Sequence, residues 1–462
     1  MFATIRDKCS RHLLLPIHET YRRIRPDHRT VYRIAGEALE FRHRAMTMSK
    51  EQKLDWILMK LRSLLRQAGK ESPFYRDLFI TAGFDPGVDF GYDDFSRLPP
   101  LDRKDVLDQP DDLRSLVLPT RLARPGSTGG SSGQPVRVWK GPRDRAWTEG
   151  GWRFFTQQLG IRPGARTAYL WGHHLDAIPQ RRLLPTLNDL LLNAYRFDCF
   201  HLDDVKLLGY HERLTKLRPE CMVAYGGALA SLAAVLERRG LRATYPSLAL
   251  ISGAEKIWPH ERAQIERVFG QPVHERYGSR DVGLMAFQVC PSVSTAYTVD
   301  WANILIEPDT ESTSPSAILV TKLNADGMFL IRYRIGDLAI FPPSARPGEP
   351  AFSLLEISGR ELDGILMPSG EWIHGVAFPH LMKDHAVREF QVYQHADSSL
   401  TIKLVTHEGW KPADEVALRK QLEGIAPRLA ISLSFVDQIP KSAANKRRPV
   451  ISELAPQRDG SK

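Results

Sequence analysis

Apolar positions near the start of the chain recur at helical spacing. Trp56, Leu58, Leu61, Leu64 and Leu65 are separated by Lys and Arg, the stripe of a helix that buries one face and wets the other. Residues 1–70 therefore read as helices. Residues 74–120 read as shorter helical pieces broken at Pro86–Gly87 and Pro99–Pro100, where proline removes a backbone donor. From Arg124 to Gln134 the periodicity vanishes. This segment is rich in glycine and hydroxyl side chains, is bounded by Pro125 and Pro135, and reads as a loop ahead of a strand over Val136–Lys140. Between 145 and 270 helical and extended patterns alternate; a helix over Ala228–Arg239, stopped by Gly240, precedes the apolar strand Leu248–Ser252. Such alternation predicts a layered α/β arrangement. Residues 296–342 turn strand-like, as in Ser316–Thr321 and Leu338–Phe341.

The pattern changes again after Gly359–Arg360. Glu389–Tyr393 and Leu400–Val405 alternate apolar and polar residues around a turn at His395–Ser399, followed by a helix over 413–424 and a strand over 430–436. This series predicts a small α+β domain over 362–462 behind a large N-terminal domain over 1–361, whose first 120 residues are helical. Hydrophobic residues make up 42% and charged residues 25%, so no segment is disordered by composition. The net charge of +9 raises the question of nucleic acid. The basic residues are dispersed, however, and no basic helix or aromatic RNA-binding motif accompanies them, so a nucleic-acid partner is not expected. Cys9, Cys199, Cys221 and Cys290 form no CxxC pair, which argues against a disulfide framework or zinc site and suits a reducing cytoplasm. No signal peptide is expected, and no apolar stretch approaches the roughly 20 residues of a membrane span.

Five short motifs carry candidate chemistry. In Ser127-Thr128-Gly129-Gly130-Ser131-Ser132-Gly133-Gln134-Pro135, backbone amides free of Cβ and several hydroxyls can converge on an anion; alone, the segment serves equally as a linker. Tyr277-Gly278-Ser279-Arg280-Asp281 offers a ring for a purine and a carboxylate for Mg²⁺, or simply a turn with a surface Asp–Arg pair. Asp337, in Arg332-Tyr333-Arg334-Ile335-Gly336-Asp337, is placed to accept ribose hydroxyls or to end a strand turn. Gly359-Arg360 marks the change in composition. Lys446 sits in a basic run over Pro440–Arg448 that is otherwise read as a solvated tail.

In this order and at these separations the five motifs resemble the adenylate-forming superfamily of acyl-CoA ligases, peptide-synthetase adenylation domains and luciferases. They are most like its phenylacetate-CoA ligase branch, with the relatives found alongside capsule and exopolysaccharide synthesis. The resemblance implies that Thr128, Gly129, Gly130, Ser131, Ser132 and Gly133 bind phosphates. It places Gly253, Ala254 and Glu255 at adenine, Tyr277 and Gly278 beneath it, Asp337 on the ribose and Arg360 at the domain junction. It gives catalytic roles to Lys446, Arg280 and Asp281, with Asp281 also holding Mg²⁺, and sets Trp171, His173, Tyr225 and Gly226 in segments lining the acyl pocket. It further implies ATP and Mg²⁺ as cofactors, coenzyme A as acyl acceptor and an aryl or medium-sized acid as substrate. Two rivals stay open: transfer to an amine or hydroxyl, and an inactive nucleotide-binding relative. A homodimer is left open as well. The sequence departs from the family at Val136, where a Lys or Arg usually follows the loop proline; at Arg280-Asp281, where Thr or Ser and Glu are usual; at Leu362; and at Asn445, in place of a glycine.

Overall fold

The computed structural model describes residues 26–127, 136–171, 189, 192–199, 202–311, 315–360, 364–369, 372–374, 377–382, 385–406, 409–439 and 448–454. Contacts divide the chain into a large unit, running to Ile335 and again over Ile340–Glu356, and a small unit of Gly336–Ala339 with the residues from Ile357 onward.

The large unit begins with two long helices, α1 (Pro26–Ala45) and α2 (Lys50–Glu71). Ser49 starts α2 through a reciprocal capping box with Gln52, which satisfies two amides that no helical turn can reach. The predicted stripe is buried along α2 at Ile57, Leu61, Leu64 and Leu65, and Trp56 stacks on Phe41 of α1 at 4.5 Å. Helix α3 (Pro142–Gln158) packs on α1. Gly150 permits this approach, since a Cβ there would lie 2.9 Å from Ala38 Cβ, and Gly151 leaves room for Asp300, whose Oδ2 a Cβ would meet at 2.4 Å. Arg42 of α1 grips Asp300 with two bonds, Nε to Oδ1 at 2.8 Å and Nη2 to Oδ2 at 2.7 Å, and both side chains are buried.

Strands β1 (Arg124–Ser127) and β2 (Arg137–Lys140) form an antiparallel pair with Ser127 opposite Arg137. The sequence predicts a loop from Arg124, but its first four residues are strand because β2 supplies the missing hydrogen bonds. Next come β3 (Thr167–Leu170), β4 (Ala194–Phe197), helix α4 (Asp204–Leu217), β5 (Cys221–Tyr225), α5 (Gly226–Arg238), β6 (Ala249–Gly253), α6 (Pro259–Phe269), β7 (Val273–Ser279), β8 (Gly283–Phe287) and β9 (Tyr297–Val299). Then follow β10 (Ile304–Pro308), β11 (Ser316–Lys322), β12 (Tyr333–Ile340), β13 (Ser353–Leu354) and β14 (Glu356–Arg360). An eight-stranded sheet has the order β13-β9-β8-β7-β6-β5-β3-β4, parallel from β7 to β4 and antiparallel beyond. Strands β5 and β6 are largely apolar because both sheet faces are covered there; every residue of β5 and of β6 is buried. The expected α/β class is the one observed.

β12 starts at Tyr333 rather than Leu338. The charged stretch before it is buried, not turned out: Arg332 pairs with Glu307 (3.0 Å), and Arg334 pairs with Asp309 and Asp102. In the small unit, β15 (Gly364–Leu366) pairs with β16 (Trp372–His374), and β17 (Val387–Gln394) forms a hairpin with β18 (Leu400–Thr406). Helix α7 (Pro412–Ile425), β19 (Ile431–Phe435) and β20 (Val450–Ser452) complete a four-stranded sheet of order β19-β18-β17-β20. Its core gathers Ile365, Phe378, Val392, Ile402, Leu404 and Leu418.

Candidate active site

The expected acyl-pocket and adenine residues that are described meet at the carboxyl edge of the parallel strands. Trp171 follows β3, Tyr225 ends β5 and Gly253 ends β6, while Tyr277 and Gly278 lie near the end of β7. Strand register aligns Tyr225 with Gly253 and Gly253 with Arg276. Trp171 lies flat on Tyr225, with ring centres 4.2 Å apart and planes inclined by 25°. Edges of this kind collect the loops of an open α/β sheet and form its natural ligand crevice.

The turn after β6 is bent by Ala254, which takes a left-handed φ of 68°. That bend brings Glu255 back to the start of α5, where its Oε2 accepts a hydrogen bond from Gly227 N at 2.8 Å. The carboxylate thus caps a helix N-terminus, where the backbone dipole favours negative charge. Tyr277 is largely buried at a bulge between Tyr277 and Gly278. A Cβ on Gly278 would meet Gly283 O at 2.5 Å, so this turn requires glycine.

A second cluster lies around Asp281. Its carboxylate is buried and hydrogen-bonded by the Tyr333 hydroxyl, which also contacts Arg103; burial pushes the Tyr333 pKa up, and Asp281 adds to the rise. The surface Asp–Arg pair that the pentapeptide offered as its bland alternative does not describe a carboxylate at this depth. Lys322, at the end of β11, donates to Asp144 Oδ2 at 2.6 Å and to the Asp281 carbonyl at 3.4 Å, with both charged side chains buried. Asp144 Oδ1 is buried without a hydrogen-bond partner. Asp326 secures this corner by accepting from the Arg143 and Asp144 amides at the N-terminus of α3. Lys140, the last residue of β2, sits half-buried near Lys322, Asp144, Asp281 and Arg280. Burial, reinforced by Lys322, drives its pKa down to about 8.

Sequence reasoning missed Lys140, Asp144, Lys322 and Arg276. Each is a single charged residue outside the five motifs. Their only sequence signals are proximity to a motif, for Lys140 and Arg276, and a charge closing the apolar run Ser316–Thr321, for Lys322. In the small unit, Arg360 Nε lies 3.0 Å from Asp337 Oδ1. Asp337 falls inside β12 rather than at a strand start. Residues Thr128 to Gly133, His173 and Lys446 lie outside the described residues. Among the described residues, no group of three or more His, Cys, Asp or Glu is placed to hold a metal ion, and no helix is long and apolar enough to cross a membrane.

Residues 365–453 match the family model of the CapK C-terminal domain. Protein CapK of Staphylococcus aureus is 22% identical over 273 residues, a match spanning 58% of this chain and 58% of that protein's length. Among solved structures, 2-hydroxyisobutyryl-CoA ligase in the postadenylation state with 2-HIB-AMP aligns with a TM-score of 0.67. Identity is 18%, over 88% of this chain and 91% of that one. The same ligase with R3-HIB-AMP gives a TM-score of 0.66 at 18% identity, covering 88% and 90%. The chain therefore has the fold of adenylate-forming CoA ligases, and the resemblance carried by the five motifs extends to the architecture.

Proposed function

We propose that this protein is an ATP-dependent, AMP-forming carboxylate ligase. A carboxylate oxygen attacks the α-phosphorus of ATP, pyrophosphate departs, and the acyl adenylate passes its acyl group to the thiol of coenzyme A with release of AMP. The observation that carries this reading is the presence of two chemically distinct clusters within one unit. An aromatic row stands at the carboxyl edge of the sheet, and a cationic corner of Lys140, Lys322 and Arg280 surrounds Asp281. The aromatic row suits the organic part of an aryl or medium-sized acid. The cations suit the negative charge that accumulates on phosphorus oxygens as the anhydride forms, and each such fixed charge is worth about 10²–10³-fold in rate.

Lys140 occupies the end of the strand that follows the glycine-rich loop, so it supplies a cation close to where Val136 replaces the usual base. Asp281 fits Mg²⁺, because that ion needs only one or two carboxylates when phosphate oxygens and water complete its octahedron. When bound there it would add positive charge at the phosphates. Tyr333 and Val282 N orient the Asp281 carboxylate, and Asp144 holds Lys322 in place. Thr128 to Gly133 would cradle the phosphates and Lys446 would meet the α-phosphate from the small domain over 362–462.

The deciding experiment is acid-dependent exchange of labelled pyrophosphate into ATP across aryl and aliphatic acids, followed by trapping with coenzyme A or amines. Exchange with at least one acid, and thioester as the trapped product, supports the assignment. An amide or ester product would move the acceptor to an amine or hydroxyl. Absence of exchange with every acid, in a protein that still binds ATP, would leave only a nucleotide-binding role.

A further inference from the structure

Arg276, which is partly buried, differs from the buried cations of the large unit. Arg42, Lys322 and Arg332 each have a carboxylate partner within 3.0 Å. Arg276 has none. Its guanidinium lies between two indole rings, 4.8 Å from the centre of Trp152 and 5.0 Å from that of Trp171. The surrounding cluster is apolar, built on Phe155, Cys221, Val223 and Ile251. Its nearest acidic groups are Tyr169, Tyr225 and Cys221; burial pushes the Tyr169 and Cys221 groups up to about 12, so both are neutral at ordinary pH. An arginine stays charged. A charge removed from water without a counter-charge is costly, and cation–π contact recovers only part of that cost.

The local sequence is arranged to tolerate this. Gly253 sits beside Arg276 in the sheet, and a Cβ there would lie 2.8 Å from Arg276 Nε. The missing side chain lets the guanidinium cross β6 towards Trp171 and Tyr225. Successive residues on a strand face opposite ways, so Arg276 points away from the face of Tyr277. Arg276 keeps some exposure, so a ligand can reach it.

We propose that Arg276 recognises a second anionic group on the substrate, and that the acid this protein activates is therefore a dicarboxylate or a similarly dianionic acid. This inference deepens the ligase assignment and rests on it. The planar fork of the guanidinium matches a carboxylate with two parallel bonds, while Trp152 and Trp171 hold it flat and exclude water. The anion supplies the counter-charge that is missing among the described residues. The aromatic walls then contact the linker between the two acid groups.

The test uses the full chain and pairs of acids differing only in the second anion: valerate against glutarate, and phenylacetate against 4-carboxyphenylacetate. In pyrophosphate exchange the dianionic member should have the higher kcat/KM. Arg276→Met should lower kcat/KM for that member by about 10²-fold, leave the neutral member within a few-fold, and leave ATP affinity unchanged. Arg276→Lys should restore part of the preference. Equal use of both members by the wild type, or equal loss of both in Arg276→Met, would overturn the inference while leaving the ligase assignment intact. If no acid supports exchange, or if Arg276→Met does not fold, calorimetric titration of the wild type without ATP decides. Tighter binding of glutarate than valerate, weakened by salt, supports the anion site, and equal or absent binding of both rejects it.

Discussion

The Lys140→Met substitution separates the two demands placed on one side chain. In the folded protein the Lys140 pKa falls from 10.5 to about 8, chiefly because the ammonium is buried, and Lys322 repels it further. A drop of that size corresponds to about 3 kcal/mol of preference for the neutral amine. The sign follows from linkage: the depressed folded value means the unfolded chain binds the proton more tightly. Below about pH 8 the amine is charged in both states and the fold bears the full penalty. Between pH 8 and 10.5 the penalty fades, and above 10.5 it is gone. Methionine has similar length and no charge, so Lys140→Met should stabilise the large unit at pH 7 by up to about 3 kcal/mol, a rise of roughly 4 °C in Tm for a unit of this size. The advantage should shrink to nothing near pH 10.5. The same variant should lose about 10²–10³-fold in pyrophosphate exchange, because the ammonium is missing from the phosphate corner. Urea unfolding of both proteins from pH 7 to 10.5, with exchange assays at pH 7, measures all three quantities. A variant no more stable than wild type at pH 7, with a stability difference that does not vary with pH, would show that Lys140 carries no desolvation penalty.

Other outcomes follow from the same geometry. Asp144→Asn or Lys322→Met alone should cost about 3–5 kcal/mol in urea unfolding, since each leaves a buried charge unpaired, whereas the double change Asp144→Leu/Lys322→Met should recover most of that loss. Gly253→Ala should displace the Arg276 guanidinium and cost about 1–3 kcal/mol, seen as a lower urea midpoint with an unchanged m value. Asp337→Ala should weaken ATP binding about 10–10²-fold by calorimetry if its carboxylate holds the ribose, and leave it unchanged if the aspartate serves only Arg360. Lys446→Ala should remove adenylate formation while ATP binding survives; unchanged turnover would take Lys446 out of the chemistry.

The layered core was legible because apolar runs such as Leu248–Ser252 have few places to go but the middle of a sheet; the observed strand is shifted by a single residue. The hairpin over 387–406 was legible from period-two alternation. Arg124–Ser127 was misread because proline and glycine dominate local propensity, while the pairing that makes it a strand comes from residues ten or more positions away. The start of β12 was misread for a related reason. A run of arginines looks like surface until Glu307 and Asp309 arrive from β10 and the residue just after it to pair with it. Motif order pointed to Tyr277, Asp281 and the Gly253 turn. It could not point to Arg276, Lys140 or Lys322, which stand out only by the neighbours that surround them and, for Arg276, by the carboxylate missing among the described residues.

The clasp between Arg42 and Asp300 joins positions 258 residues apart. During synthesis from the N-terminus, α1 emerges long before its partner, by roughly 10–50 s at ordinary elongation rates. Until Asp300 leaves the ribosome, Arg42 has only the carbonyls of Ala38 and, later, Trp147 to hold it, so its guanidinium lacks its counter-charge for most of synthesis. A protein begun beyond Arg42 would finish with Asp300 stranded in an apolar seam. Supplying the missing helix as a separate peptide is then a direct way to ask how much of the large unit waits on that one clasp.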